Sequence, residues 1–282
     1  MQFFGAELEV STLGPSDVTR YVQARRSGRF HPGKGKPAKV RDATIRSDLV
    51  ALKAALNWAT MERGEKGRRL LKEHPLRGVE LPREKNPRRP VITDDAYQAL
   101  LKVADQVHPQ LKLALVIAEG TGRRLSAWAQ LRWDDIDFDA KPFGAIRWRA
   151  ENDKKGYEQV VPISLAVREA LLGARQKQKA IGTRWVFPSD LDPAVPTKLD
   201  VYDHRLRRAY KLAKLEKEPG GLWHALRRKW ATERKGYPVN DLAAAGGWRD
   251  TPTLLASYLR ADPETITQVV LNPTMRLAET KG

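Results

Sequence analysis

The sequence contains no cysteine, which removes disulfides, zinc–thiolate centres and thiol nucleophiles from consideration. It also gives no positive argument for an oxidising compartment. Long apolar runs are missing too: the longest, Leu113 to Ala118, is far too short to cross a bilayer. The amino terminus, Met1 to Val10, carries Glu7 and Glu9 where a signal peptide needs basic residues. No internal period repeats, and no GxxxxGK[ST] loop is present to cradle a nucleoside triphosphate. Negative charge is also scarce.

What the chain has instead is basic charge on a globular composition. Its 282 residues are 41% hydrophobic, enough to build a core of one large or two modest domains. Lys and Arg number 51 against 34 acidic residues, a net charge of +17. Residues 1–89 hold 20 basic and 10 acidic side chains, a net of +10, and the remaining 193 residues hold +7. An excess spread over both parts suits a polyanion followed along a long path, because each neutralised phosphate releases counterions. Basic surfaces also serve solubility or acidic membranes, so charge alone leaves the partner open. With the missing leader, it points to a cytoplasmic, nucleoid-associated protein.

The pattern along the chain is mainly helical. Pro15 to Ser27 reads as a short helix ending at Gly28, followed by a basic Gly/Pro/Lys loop to Lys39. Ile45, Leu49, Leu52, Leu56 and Ala59 recur at helical spacing, with Arg46 and Lys53 off that stripe. These make a small helical domain over residues 1–82. Residues 83–92 hold prolines and basic residues, including Arg88 and Arg89, and read as an extended linker. Thr93 is placed to cap a helix with the stripe Tyr97, Leu100, Leu101, Ala104 and Val107. The run Leu111–Ala118 reads as a buried helix stopped by Gly120. Ala145–Arg149 and Gln159–Ile163 read as strands joined by a polar turn. The expected fold class is therefore mainly α (α+β), with a larger helical domain over 93–272 that holds a short antiparallel β-sheet, and a tail over 273–282.

Four phrases carry candidate chemistry. Arg124, in Thr121-Gly122-Arg123-Arg124, follows a tight turn; a guanidinium matches phosphate geometry, although a lone arginine is more often a surface ion pair. Lys154 and Lys155 sit at a hairpin tip, where a lysine can donate a proton or simply be solvated. His224 and Arg227 share a helical face, but His204 and Arg207 repeat that spacing, so the pair is weak by itself. Trp248 offers an indole donor, and Tyr258 a hydroxyl that can attack phosphorus beside cations. Each alone is as easily core or surface.

Their order and spacing carry more. The phrases TGRRLSAWAQLRWDDID, DKKGYEQVVPI, HALRRKWAT and GGWRDTPTLLASYLRAD resemble the tyrosine recombinase (phage integrase) family over residues 10–272. The resemblance implies a helical core DNA-binding domain, a basic linker and a catalytic domain, together clamping duplex DNA. It implies that Arg124 and Arg227 hold the scissile phosphate and that Lys154 is the general acid, with Lys155 as its alternate. His224 would assist, Trp248 would stand where most members have histidine, and Tyr258 would be the nucleophile. Lys34, Lys36, Arg46, Lys53, Arg88, Arg89 and Lys155 are the expected DNA contacts. The implied reaction is site-specific recombination through a 3′-phosphotyrosyl intermediate, with no cofactor, metal or ATP. A homotetramer on two double-stranded DNA sites would be the working assembly, alongside accessory DNA-bending or directionality proteins.

Three features depart from that pattern. Ala127 stands where the family commonly has an acid. The Trp248–Tyr258 interval is ten residues, one more than is common. Little precedes Thr12 to form a first helix, so truncation at the amino terminus is expected. Two other readings accompany the resemblance: a catalytically silent DNA-binding protein of the same fold, and a metal-dependent nuclease using Asp134, Asp135, Asp137 and Asp139.

Overall fold

Pro15 and Asp17 start the first helix, α1 (Pro15–Ser27). Proline presets the first turn, and the Asp17 carboxylate accepts the backbone N–H of Gly14 at 2.9 Å. Gly28 closes it, as the sequence suggests. The second helix, α2 (Asp42–Met61), buries Ile45, Leu49 and Leu56 against Val18, Tyr21 and Val22 of α1. A polar bond set fixes the pair: Tyr21 donates to Asp48 at 2.8 Å, and the buried Arg25 donates to the same carboxylate at 3.1 Å. Phe3 and Phe30 meet Tyr21 edge-on, and Phe4 lies tilted against it, closing this core.

The computed structural model describes residues 3–5, 7–32, 38–64, 67–83, 90–152, 156–177, 184–216, 222–258 and 270–271. The chain divides into two compact units, Met1–Pro87 and Arg88–Gly282. No helix among the described residues is long and apolar enough to cross a membrane.

The second unit opens with α3 (Asp94–Val107), capped by the Thr93 hydroxyl, which accepts from Ala96 N–H at 3.2 Å. Next comes α4 (Leu111–Thr121), buried almost all round. It runs through Gly120 and ends at Gly122, two residues later than the sequence suggests. A short α5 (Leu125–Trp128) leads to the strands β1 (Ile136–Asp137), β2 (Ala145–Trp148) and β3 (Gln159–Pro162). They form one antiparallel sheet in the order β1-β2-β3, with Ile136 opposite Ile146 and Trp148 opposite Gln159. The two longer strands are each one residue shorter than expected at their carboxyl ends.

Helices α6 (Leu165–Lys177), α7 (Leu199–Leu212), α8 (Leu222–Glu233), α9 (Val239–Gly246) and α10 (Thr251–Ser257) complete the unit. Helix α4 packs against α3, α6 and α8, and α3 packs against α7. The core is anchored by Trp128, whose ring meets Phe187, Tyr202 and Trp223 at centroid distances of 5.0–5.4 Å. The mainly helical fold with a small antiparallel sheet is thus the observed one. Beside the main core lies a satellite cluster of Trp230, Ala231, Leu242, Ala243, Trp248, Leu254 and Tyr258. That cluster positions the site.

Candidate active site

The site begins where α4 has to turn. Gly122 takes φ = 63°, and a β-carbon there would land on the Trp230 indole, so both backbone and packing require glycine. The turn delivers two adjacent arginines into different surroundings. Arg123 is buried and bonded to Gln159 and Ala244. Arg124 is half-buried, reaches the Gly247 carbonyl only at the 3.5 Å limit, and lines a depression of about 440 Å³ with Gly247 and Trp248.

Arg227 comes up from α8 and is 1% exposed. Its Nη1 donates to the carbonyls of Gly122 and Gly246, the latter at 2.7 Å. Its Nε and Nη2 are buried and form no hydrogen bond of good geometry among the described residues, although the Tyr258 side chain is near enough to favour the charged form. Leaving a buried donor unpaired costs about 1–3 kcal/mol, so two on one cation are a place held for an acceptor. The guanidinium carbon lies 3.5 Å from the Trp248 ring centroid and 5.2 Å from that of Tyr258. Burial, then the neighbouring charge of Arg124, pulls the Arg227 pKa down to about 9, with Tyr258 acting in the opposite direction. Two mutually repelling cations, one of them desolvated, are waiting for an anion.

Trp248 is 5% exposed, and its indole Nε1 is also buried without a partner among the described residues. It stacks on Trp230 at 5.9 Å and meets Tyr258 edge-on at 4.9 Å. Tyr258 ends α10, which Asp250 starts by accepting from Thr253 N–H at 2.8 Å. The Tyr258 carbonyl accepts from Thr232 of α8 at 3.1 Å, tying the end of α10 to the helix that carries Arg227. The His224 ring lies 6.4 Å from the Tyr258 ring, on the solvent-facing side of α8. Surrounding protein and the charges of Arg228, Arg227 and Arg124 lower its pKa, against a smaller pull from Asp203. At neutral pH it is therefore an uncharged imidazole, able to accept a proton.

Residues 90–265 match the phage integrase family. The chain belongs to that family. A relative within it, the integrase of Salmonella phage P22, is 28% identical over 257 residues, covering 86% of this chain and 60% of that protein. The chain therefore spans less than two thirds of that relative's length. In fold it is similar to the XerH site-specific recombinase bound to a palindromic difH substrate, with a TM-score of 0.70 at 14% identity over 95% of this chain and 73% of that one. It is similar as well to a lambda integrase tetramer bound to a Holliday junction, with a TM-score of 0.64 at 19% identity over 86% of this chain and 66% of that one.

Within this integrase fold, Arg124, His224, Arg227, Trp248 and Tyr258 come together. Arg123, Arg124 and Arg227 line one small depression with Ser126, Ala127, Asn152 and Gly247. Lys154, Lys155, Lys34, Lys36, Arg88 and Arg89 lie outside the described residues. Arg46 is exposed on α2, whereas the Lys53 ammonium donates to the Val79 carbonyl at 3.2 Å within the first unit. The aspartate run has structural partners: Asp135 is buried against Arg149 at 2.5 Å and accepts from Arg132 N–H, while Asp137 accepts from the backbone of Asp139 and Ala140. No group of His, Asp and Glu suited to a metal ion occurs among the described residues. Sequence reasoning did not single out Arg123, Asn152 or Gln159. The doublet Arg123-Arg124 after a tight turn was the available signal.

Proposed function

We propose that this chain is the core-binding and catalytic part of a site-specific DNA recombinase that works through a 3′-phosphotyrosyl intermediate. The observation that carries the reading is Arg227: a buried cation with two N–H groups that form no hydrogen bond of good geometry, in contact with Trp248 and beside the Tyr258 ring. In this reaction the Tyr258 oxygen attacks the scissile phosphorus and the bond to the 5′ oxygen breaks. Neutral His224 takes up the phenol proton, and Lys154 supplies one to the departing 5′ oxygen, which leaves as a hydroxyl. The reverse attack by a 5′ hydroxyl restores the strand, and the energy of the ester is kept, so ATP is not needed. Arg124, Arg227 and the Trp248 indole stabilise the extra charge of the five-coordinate state. Loss of one such donor typically costs about 3–4 kcal/mol, or two to three orders of magnitude in rate.

The basic excess in both units supports duplex DNA as the substrate, and the lambda integrase tetramer on a Holliday junction supports four protomers on two sites. The test is a nicked duplex substrate from which the cleaved product diffuses away. Wild-type protein should accumulate a denaturant-stable protein–DNA adduct with EDTA present, and Tyr258→Phe should bind DNA without forming it. Strand cutting that is abolished by chelation and insensitive to Tyr258→Phe would replace this reading with a metal-dependent nuclease.

A further inference from the structure

The arginine beside the clamp has a different place. Arg123 is 4% exposed, yet it is a guanidinium where a leucine would fill the same space without desolvating a charge. Its Nη2 donates to the Gln159 side-chain oxygen at 2.8 Å and to the Ala244 carbonyl at 3.2 Å. Its guanidinium carbon lies 4.9 Å from the Trp148 ring centroid. Trp148 and Gln159 are opposite one another in β2 and β3, and Ala244 is in the last turn of α9. Two and three residues further on, Gly246 and Gly247 offer the carbonyls to which Arg227 and Arg124 donate. Gly247 has φ = 71°, and a β-carbon there would collide with the Arg123 guanidinium, so loop and arginine are fitted to each other.

We propose that Arg123 is a positioning residue: it fastens the β2–β3 strands to the end of α9 and so sets the two carbonyls that orient the Arg124–Arg227 pair. In this role its Nη2 stays on Gln159 and Ala244, although the side chain borders the depression that Arg124 and Arg227 line. A planar fork suits this task because one group reaches acceptors on two separate elements, which neither lysine nor an apolar side chain does with the same geometry. Its cost is electrostatic, since its charge also contributes to lowering the Arg227 pKa.

The inference rests on the recombinase reading, and the experiment separates the two. Wild-type protein that forms no Tyr258-linked adduct defeats that reading; only given the adduct do the Arg123 variants speak to this one. Single-turnover cleavage at saturating protein and the DNA dissociation constant are measured for Arg123→Met, Arg123→Lys, Gln159→Leu and the Met/Leu double variant. Misplacing a clamp by about 1 Å costs on the order of 100-fold, so Arg123→Met should cleave at least about tenfold more slowly while binding within about twofold of wild type. Arg123→Lys should recover part of the rate, and Gln159→Leu should lose about three- to tenfold. The double variant should be no slower than Arg123→Met alone, because both changes cut one connection. Single losses that multiply in the double variant, or weaker binding with an unchanged saturated rate, would overturn the assignment. Should Arg123→Met fail to fold, Gln159→Leu and Arg123→Lys still decide it: full wild-type rates in both would overturn it too.

Discussion

The Arg227 guanidinium carbon sits 3.5 Å from the centre of the Trp248 ring, while its Nη1 donates to the carbonyl of Gly246, two residues earlier at the end of α9. One side chain thus holds this segment by its backbone and is held by its indole. A desolvated cation–π contact contributes about 2 kcal/mol, which offsets part of the cost of burying the charge. An anion paired with Arg227, as the proposed reaction requires, would recover more of that cost.

That arrangement fixes the alkaline side of the pH profile. Arg227 is a base whose pKa is lowered to about 9, so its charge is complete at neutral pH and lost as pH rises past that value. Cleavage measured with DNA well below its dissociation constant should therefore fall above about pH 9. Bound phosphate favours the charged form, so at saturating protein the fall should move to higher pH. Identical alkaline limbs under the two conditions would contradict this.

The acid side belongs to His224. Its pKa is lowered, so the neutral form, which the proposed reaction uses to accept the phenol proton, is present above that pKa and lost as pH falls through it. Asp203 favours the protonated ring, against the opposing charges of Arg228, Arg227 and Arg124. Asp203→Asn should consequently move the acid limb of the single-turnover rate to lower pH, with the plateau unchanged. A shift to higher pH would show that another group sets the limb.

Gly122→Ala should lower the thermal midpoint markedly. The change forces a left-handed backbone on alanine and drives its β-carbon into Trp230, a combined cost of about 3 kcal/mol. Unfolding followed by circular dichroism measures it, and a loss below about 0.5 kcal/mol would mean that the turn relaxes freely.

The sequence carried these elements unevenly, for physical reasons. The bounds of α1 were readable because Pro15 and Gly28 act locally. The end of α4 was not: Gly120 and Gly122 are two residues apart, and only tertiary packing against Trp230 decides which takes the left-handed turn. Helix α8 was legible as a helix, but the successive burial of Arg227, Arg228 and Lys229 was not. Each charge has its own reason: Arg228 donates to the Pro90 carbonyl at 2.6 Å, Lys229 pairs with Asp94 and Glu233, and Arg227 serves the site. The order of Arg124, His224, Arg227, Trp248 and Tyr258 was visible as a pattern. The role of Arg123 was hidden, since its partners lie 36 and 121 residues away.

Two basic residues of α2 should behave differently. Arg46 is exposed, so Arg46→Ala should weaken DNA binding and reduce the slope of log affinity against log salt by about one. Lys53 spends its ammonium on the Val79 carbonyl, so Lys53→Met should act on stability and leave the slope alone. Equal slope changes in filter-binding titrations would place both on the phosphate path.

The most direct measurement digests the trapped protein–DNA adduct with protease and nuclease and identifies the modified peptide by mass spectrometry. A nucleotide attached to Tyr258 is the expected result, because that phenol is the one held beside Arg227, Trp248 and His224. A nucleotide found on Tyr202, Tyr210 or Tyr237 would contradict the account.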